Sequence, residues 1–356
     1  MRSVIRGTGM YVPPDRVDNH RLAQVMDTSH EWIVKRTGIE ERRFARPGVA
    51  TSDLAVPAAR DAIADAGLEP GDIDYVVFAT MTPDVYFPGS APYFQRKLGL
   101  GDIPCLDIRQ QCAGFVYGLQ LADALLRAGA ARNVLLVGAE VHCGFMPWTC
   151  WDVLLDGVER ELPPEEHAEN TSYRDRLALF GDGAGAFVLG AEPDGGDDAP
   201  PRGVLDCVLH TRGALAEKLY VPGGGSAFRP YVSPEMIARG ELVPIVEGRE
   251  VYRHAVTLMP EVVGELLERN ALTIDDLDLV VMHQANLRIN EAVQQRLGLP
   301  DSKVFNNIQR YGNTTAATIP MAYHEARGAG HEGPGRLVCF VGLGSGLNWG
   351  GLLYRS

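Results

Sequence analysis

The chain has 356 residues, of which 46% are hydrophobic, and a formal net charge of −13. Its length suits two packed halves, and its acidic balance excludes nonspecific nucleic-acid binding, which needs Lys and Arg to neutralise phosphates. No run of about 18 apolar residues is present, and no basic segment precedes an apolar one at the start, so we expect neither a membrane span nor a signal peptide. The six cysteines form no CxxC pair, which favours a reducing cytoplasm over disulfides or a zinc site.

In chain order, short apolar segments alternate with amphipathic helical segments. The short apolar segments are rich in β-branched residues and nearly all apolar, which is typical of central strands covered on both faces. The alternation of strand and helix predicts βαβ crossovers in an α/β fold. The predicted strands are YVVFAT (75–80), NVLLVGA (133–139), GAFVLG (185–190), LDLVVM (277–282) and RLVCFVG (336–342).

The sequence also repeats itself. An offset of 204 relates DIDYVVF (72–78) to DLDLVVM (276–282), and RNVLLVGAE (132–140) to RLVCFVGLG (336–344). An offset of 199 relates RKLGLGD (96–102) to QRLGLPD (295–301). We therefore predict duplicated βαβ halves in a five-layered α/β/α/β/α sandwich. The halves are residues 1–195 and 196–356, joined by a polar, Gly- and Pro-rich linker within 190–205.

Residues 143–172 break the regular spacing of strands. They form a long connection with two Trp, two Cys and a Pro pair. This insertion is interpreted either as a cap over a pocket or part of a subunit interface, or as a surface excursion that packs its own aromatic side chains.

Cys112 is the first candidate nucleophile. It follows the predicted strand PCLDI and lies at or near the start of a buried helix. We expect the positive end of the helix dipole to lower its pKa from about 8.5 toward neutral. The small residues Ala113 and Gly114 would let a substrate carbonyl approach. The alternative is an ordinary buried cysteine of the core.

Two polar residues of the second half are further candidates. His283 directly follows a strand, where ligands bind in open α/β sheets, although a single histidine there is more often structural. Asn313 aligns with Cys112 across the repeat if one gap is allowed, which favours a catalytic role over a helix cap. The turn GLGSGLNWGG (342–351) can direct backbone N–H groups at an oxyanion, but such turns are common.

Together these segments resemble the β-ketoacyl-acyl carrier protein synthase III family of the thiolase superfamily, over essentially the whole chain except 143–172. The order and spacing of eight motifs carry the resemblance. They are HEWIVKRTGIEERR (30–43), FPGSA (87–91), QQCAGF (110–115), FGDGAGA (180–186), PGGGS (222–226), HQANLRI (283–289), YGNTTAATIP (311–320) and GSGLNWG (344–350).

The resemblance implies a thiolase-fold acyltransferase that uses Cys, His and Asn. Cys112 would carry an acyl group from acyl-coenzyme A, and the backbone N–H groups of Cys112 and Ser345 would form the oxyanion hole. His283 and Asn313 would bind the thioester carbonyl of malonyl-acyl carrier protein or malonyl-coenzyme A during decarboxylative condensation. The products would serve fatty-acid or polyketide synthesis, and no metal or redox cofactor is implied.

The resemblance also implies binding roles and a homodimer. Trp32, Arg36, Arg174 and Gly224 match positions that bind coenzyme A, with Arg176 competing for the match of Arg174. Arg288 matches a residue that docks the acyl carrier protein. Phe87 matches one that reaches the acyl pocket of the partner subunit.

Three departures from the family pattern bear on the substrate. The Gly-rich turn has Ser345 between Gly344 and Gly346, Gln110 and Gln111 replace small residues, and 143–172 is inserted. These changes would alter walls near the pocket, so a secondary-metabolite or long-chain acyl substrate is a reasonable hypothesis.

Other activities remain open. The strongest alternative is head-to-head condensation of two acyl-coenzyme A molecules without loss of carbon dioxide, and the next is acyl transfer to an alcohol or amine. A degradative thiolase is disfavoured, because 340–351 has no second cysteine and Cys339 is in an apolar strand. Hydroxymethylglutaryl synthase chemistry would need a positioned glutamate such as Glu140 or Glu247. A noncatalytic partner subunit is disfavoured by the complete set of Cys, His and Asn.

Overall fold

A computed structural model of the chain describes residues 1–193 and 202–356. The strands are β1 (Arg2–Tyr11), β2 (Arg16–Asp18), β3 (Glu41–Arg43), β4 (Tyr75–Ala79), β5 (Cys105–Ile108), β6 (Asn133–Glu140), β7 (Gly183–Glu192), β8 (Gly203–Thr211), β9 (Leu219–Tyr220), β10 (Ile245–Val246), β11 (Leu279–Met282), β12 (Leu337–Gly344) and β13 (Asn348–Arg355).

The helices follow the same chain order. They are α1 (Asn19–Leu22), α2 (His30–Thr37), α3 (Thr51–Asp65), α4 (Ala91–Leu98), α5 (Gly114–Arg127), α6 (Trp151–Leu155), α7 (Pro164–Ser172), α8 (Arg174–Leu177), α9 (Pro234–Ala238), α10 (Gly248–Arg269), α11 (Leu287–Leu297), α12 (Ile308–Tyr311) and α13 (Thr318–Gly328).

Two mixed sheets have the same strand order. In the described residues the first sheet runs β1-β7-β6-β4-β5, and the second runs β8-β13-β12-β11. In each sheet the first strand along the chain, β1 or β8, is antiparallel to its neighbour, β7 or β13. The pairs β4–β6 and β11–β12 are parallel. An isolated parallel bridge from Val304 to Val280 takes the place that β5 has beside β4. The predicted duplication is therefore confirmed.

The sheets and helices form five layers. Helices α5 and α13 lie between the sheets, where Leu119 and Tyr323 join Leu136 of β6 and Phe340 of β12 in one buried cluster. Helices α3 and α4 cover the other face of the first sheet, and α10 and α11 cover the other face of the second. Strand residues alternate between inner and outer clusters, as the pleat requires. The predicted α/β/α/β/α sandwich is confirmed.

The proposed boundary at 195/196 and much of the proposed linker lie outside the described residues, so the division into two domains stays a prediction. The insertion 143–172 contains α6 and α7. Its Trp148, Cys150 and Leu154 pack against Leu22 and Ile33 of α1 and α2, so part of it forms an additional small core.

None of the helices in the described ranges combines the length and the apolar character that a membrane-spanning helix requires.

Candidate active site

A cavity of about 970 Å³ contains Cys112 in its wall. Segments from both halves surround it, including the loop 81–86 after β4, the residues after β6, and the loop around Gly223 and Gly224. Gly144 and Phe145 of the insertion also line it, which agrees with the interpretation of that segment as part of a cap.

Cys112 lies in a single 3₁₀ turn, Gln111–Ala113, that leads directly into α5. It is 8% exposed, and burial, followed by the nearby charge of Glu140, raises the pKa of its thiol to about 12. The predicted fall of this pKa toward neutral is therefore wrong. The cost of removing a thiolate from water exceeds the stabilisation available at the start of the helix.

The Gly-rich turn packs directly on Cys112. A Cβ atom at Gly344 would lie 2.8 Å from the backbone nitrogen of Cys112 and 2.9 Å from that of Ala113. Only glycine therefore lets this strand end approach Cys112 so closely. The next residue, Ser345, lines the cavity, and its hydroxyl donates to the carbonyl of Leu219. The extra hydroxyl expected from the sequence is thus bonded to the neighbouring loop.

His283 directly follows β11 and is 3% exposed. Burial lowers its pKa to about 3, so the imidazole is neutral at neutral pH. Its Nδ1 lies 2.6 Å from Oγ1 of Thr318, and that hydroxyl also lies 3.0 Å from the carbonyl oxygen of Thr315. When Thr318 donates to Thr315, Nδ1 of His283 carries the proton and Nε2 has a free lone pair. When Thr318 donates to Nδ1, Nε2 carries the proton.

Asn313 is 4% exposed and has a fixed amide orientation. Its Oδ1 accepts from the backbone N–H of Thr315 at 2.9 Å, and only an oxygen can accept there. The Nδ2 group has no hydrogen-bond partner among residues 1–193 and 202–356, so it is a free donor. Thr315 thus connects Asn313 to Thr318 and, through it, to His283.

The segments that carry the three candidates lie close together where the halves contact each other. A Cβ atom at Gly342 would lie 3.5 Å from Cβ of His283 and 3.7 Å from the carbonyl oxygen of Cys112. The turn of Asn313 and Thr315 leads into the second 3₁₀ turn, Thr315–Ala317, which faces the turn of Cys112. There a Cβ atom at Gly114 would lie 3.7 Å from Cβ of Ala316.

The predicted symmetry relation of Asn313 to Cys112 is wrong. Gln111 and Thr315 both have positive φ, 45° and 53°, at the start of matching 3₁₀ turns. Ala316 of the second half is therefore the residue equivalent to Cys112 of the first, with an offset of 316 − 112 = 204. The gap placed after RKLGLGD and QRLGLPD, whose offset is 199, was too short, because the offset returns to 204 at the turns.

Glu140 shapes the cavity wall next to Cys112. It is 0% exposed and accepts from Oγ1 of Thr80 and the backbone N–H of Thr82, each at 3.0 Å, and from the N–H of Met81. Burial raises its pKa to about 7. Since Met81 and Thr82 line the cavity, Glu140 holds the loop that forms this wall. Glu247, the other glutamate considered, is exposed and pairs with Lys218.

Two arginine side chains lie over the ring system of Trp32. The Cζ atoms of Arg36 and Arg174 are 4.2 Å and 4.8 Å from the centroid of its ring system, within the range of cation–π attraction. Arg176 instead lies over Tyr173 and donates to Pro244. Of the two competing arginines, Arg174 is therefore the one that contacts Trp32.

The start of α11 is attached to the helix that carries Trp32. Asn286 donates to the carbonyl of Arg36 at 3.0 Å, and the exposed Arg288 donates to that of Lys35 at 2.6 Å. Lys35, Arg36 and Arg288 thus form a small basic patch on an acidic protein. The side chain of Phe87 is 86% exposed.

Two residues of the site were missed by the sequence analysis. Thr318 lies within the motif YGNTTAATIP (311–320), but the motif does not distinguish it from the other threonines. Its contact with His283 depends on the packing of α13 against β11. His142 lines the cavity, but it follows an apolar strand and precedes the insertion without any recognisable pattern. In the described part of the chain, no group of three or more His, Cys, Asp or Glu side chains is arranged to hold a metal ion.

Comparisons with known proteins show which proteins this chain resembles in sequence and fold. Residues 106–155 and 267–356 match the family profiles of 3-oxoacyl-[acyl-carrier-protein] synthase III and of its C-terminal part. The beta-ketoacyl-[acyl-carrier-protein] synthase III of Rhodospirillum rubrum is 42% identical over 99% of both chains. The structure of the Thermus thermophilus synthase is 36% identical, with a TM-score of 0.83 over 99% of both chains. The priming beta-ketosynthase of the R1128 polyketide pathway is 30% identical, with a TM-score of 0.81 over 99% of this chain and 96% of that one.

Proposed function

The chain belongs to the β-ketoacyl-[acyl-carrier-protein] synthase III family of condensing enzymes, and on that basis we propose that Cys112 carries the acyl group that is joined to a malonyl thioester. The observation that best supports this role is the position of Cys112 in the cavity wall, where the turns of both halves meet.

In the loading step, the sulfur of Cys112 adds to the carbonyl of an acyl-coenzyme A. The new C–S bond replaces the bond to coenzyme A, which leaves as a thiol. Since the thiol is neutral in the free protein, it needs an acceptor for its proton. The departing sulfur of coenzyme A takes up this proton, because the low pKa of His283 makes its imidazole a poor base for a thiol even in the tautomer that leaves Nε2 unprotonated. The N–H groups of Cys112 and Ser345 would stabilise the tetrahedral oxyanion.

In the condensing step, the malonyl thioester loses carbon dioxide and becomes an enolate. Nδ2 of Asn313 and Nε2 of His283, in its other tautomer, would donate hydrogen bonds to the enolate oxygen. The carbanion then attacks the acyl carbonyl, the C–S bond to Cys112 breaks, and one proton restores the thiol. Neither residue needs a charge of its own, which agrees with the low pKa of His283.

The binding roles are extensions of the same proposal. Trp32, Arg36 and Arg174 would hold the adenine of coenzyme A by stacking and cation–π contacts, and Gly224 would line its path to Cys112. The patch around Arg288 would attract the acidic acyl carrier protein. The exposed ring of Phe87 supports a homodimer in which it is covered by the partner subunit. The cytoplasmic location and the independence from metal and redox cofactors stay predictions.

The test is acyl loading followed by condensation. The protein is incubated with a panel of acyl-coenzyme A thioesters, and intact mass and peptide mapping locate the acyl group. Malonyl-acyl carrier protein, malonyl-coenzyme A or a second acyl-coenzyme A is then added, and the product and carbon dioxide are measured. An acyl group on Cys112 and carbon dioxide released with a malonyl acceptor are expected. Condensation of two acyl groups without carbon dioxide would instead indicate head-to-head chemistry, and the absence of any acyl-Cys112 would contradict the proposal.

A further inference from the structure

His142 is a buried imidazole in the wall of the cavity that contains Cys112. It follows the end of β6 and is 0% exposed. Its backbone N–H donates to Oδ1 of Asp182 at 2.7 Å, and the same carboxylate accepts from Cys143 at 2.9 Å and from Ala45 at 2.7 Å. The main chain at His142 is therefore tied to two other segments of the molecule.

Aromatic neighbours fix the plane of its ring. The imidazole stacks on Phe180, with centroids 3.7 Å apart and an angle of 7° between the rings. Phe145 approaches it edge-on, with centroids 5.8 Å apart. Both phenylalanines also line the cavity, as does Val141. His142 is thus held as a polar ring within an apolar stretch of the wall.

Neither ring nitrogen of His142 has a hydrogen-bond partner among the described residues. Buried polar groups are nearly always bonded, because leaving one unpaired is destabilising. Burial also lowers the pKa of His142 to about 3, so the neutral ring offers one N–H donor and one lone pair. Both nitrogens lie out of contact with solvent, so a ligand in the cavity reaches them after a shift of the surrounding side chains, and an alkyl chain there would satisfy neither.

We propose that the acyl group accepted by Cys112 carries a hydroxyl group that hydrogen-bonds to His142. A hydroxyl has one donor and two acceptor sites, so it complements a neutral imidazole in either tautomer. A carboxylate fits less well, because the ring has a single N–H and no positive charge. This inference rests on the proposed acyl transfer to Cys112 and adds its substrate class; the hydroxyl itself is not consumed when the acyl C–S bond is exchanged.

The test compares acyl donors that differ only in the hydroxyl. Loading rates of butyryl-, 3-hydroxybutyryl- and 4-hydroxybutyryl-coenzyme A are measured by intact mass on the full-length protein. The native protein should load at least one hydroxyacyl group about tenfold faster than butyryl, since one hydrogen bond to a buried group has about this effect. In His142→Leu the preference should disappear while butyryl loading is kept.

Two further variants make the result specific. His142→Gln keeps a donor and an acceptor, so it should retain part of the preference for the hydroxyacyl donor. If His142→Leu does not fold, the loading ratio of His142→Gln is compared with that of the native protein instead. Val232→Ala changes another apolar side chain of the cavity lining and should leave the ratio of hydroxyacyl to alkyl loading intact.

The outcomes separate this inference from the proposed function. Equal or faster loading of butyryl by the native protein, with the same ratio in His142→Leu, would overturn the hydroxyl assignment and leave acyl transfer intact. Failure of every thioester to label Cys112 would overturn both.

Discussion

The two halves of the molecule share the order of their central strands but carry different side chains at equivalent positions. A constant offset of 204 pairs Cys112 with Ala316, Ala79 with His283, and Glu140 with Gly344. The contacts at these positions are also related: Gly342 packs against the carbonyl of Cys112, and Gly138 packs against that of Ala316. In each of the first two pairs only one member carries a group proposed to act on substrate, and in the third Glu140 holds a loop of the cavity wall.

A second pair of contacts shows how the halves diverged. In the second half His283 bonds to Thr318 at 2.6 Å. The corresponding residues of the first half are Ala79 and Gly114, where a Cβ atom at Gly114 would lie 3.3 Å from Cβ of Ala79. The duplicated fold thus has two equivalent positions for a buried polar pair. The second half has His283 and Thr318 there, and the first half has Ala79 and Gly114. The proposed nucleophile, Cys112, thus comes from one half, and the pair of His283 and Thr318 comes from the other.

The largest expected effect comes from removing the nucleophile. Cys112→Ala makes the first turn like the second, and we expect no acyl loading at all, because no sulfur remains to form the thioester. Intact mass after incubation with acyl-coenzyme A measures this. Ala316→Gly, at the equivalent position, should still load, and an acyl group found on any residue of Cys112→Ala would contradict the assignment.

Replacing His283 should separate the two steps. His283→Ala gives the second half the alanine of the first, and it removes a donor to the enolate. Condensation should fall about 10³-fold, while loading, measured by mass, should be affected much less. If both steps fall by the same factor, His283 does not have the role proposed for it in the condensing step.

A methyl group at Gly344 should disturb the nucleophile by contact alone. Gly344→Ala would place a Cβ atom 2.8 Å from the backbone nitrogen of Cys112. We expect loading to fall about 10²-fold, because small displacements of reacting groups have effects of this size, and stability to fall by about 1–3 kcal/mol. The matched control is Gly264→Ala in α10, where a Cβ atom meets no neighbour within 4 Å; a similar loss there would show that the effect at Gly344 is not local.

The Thr318 hydroxyl should matter only through His283. Thr318→Val keeps the shape but removes the partner of Nδ1, so condensation should fall about tenfold, with its pH profile changed. Thr318→Ser keeps the hydroxyl and should restore the native rate. Steady-state condensation across a pH series distinguishes these variants, and an unchanged rate in Thr318→Val would exclude control of the tautomer by this residue.

The smallest expected effect is on stability in acid. The pKa of His283 is about 3 in the folded protein and about 6.5 when unfolded, so its contribution is complete above pH 6.5 and is lost as the pH falls toward 3. At pH 5 this loss is about 2 kcal/mol. Urea unfolding at pH 7.5 and pH 5 should therefore show a smaller acid loss in His283→Ala than in the native protein. Equal losses would mean that His283 is not buried and neutral.

Part of the site was within reach of the sequence. Cys112 and His283 follow predicted strands, and the carboxyl ends of such strands meet at one edge of a sheet. The cavity residue His142 and the partner Thr318 were out of reach, since both depend on which face of one element packs on another. The symmetry partner of Cys112 was misassigned because Asn313 and Ala316 are only three residues apart, and sequence similarity alone does not place a gap within a turn.

By itself the sequence determined the duplication, the α/β layers and the membership of a family, because hydrophobic periodicity and ordered motifs are properties of the chain. Tertiary structure alone decided the electrostatics. Burial, which no local pattern reports, raises the pKa of Cys112, where the helix position predicted a fall, and keeps His283 neutral. Desolvation depends on what surrounds a group from every direction, and at this site those surroundings come from both halves of the chain.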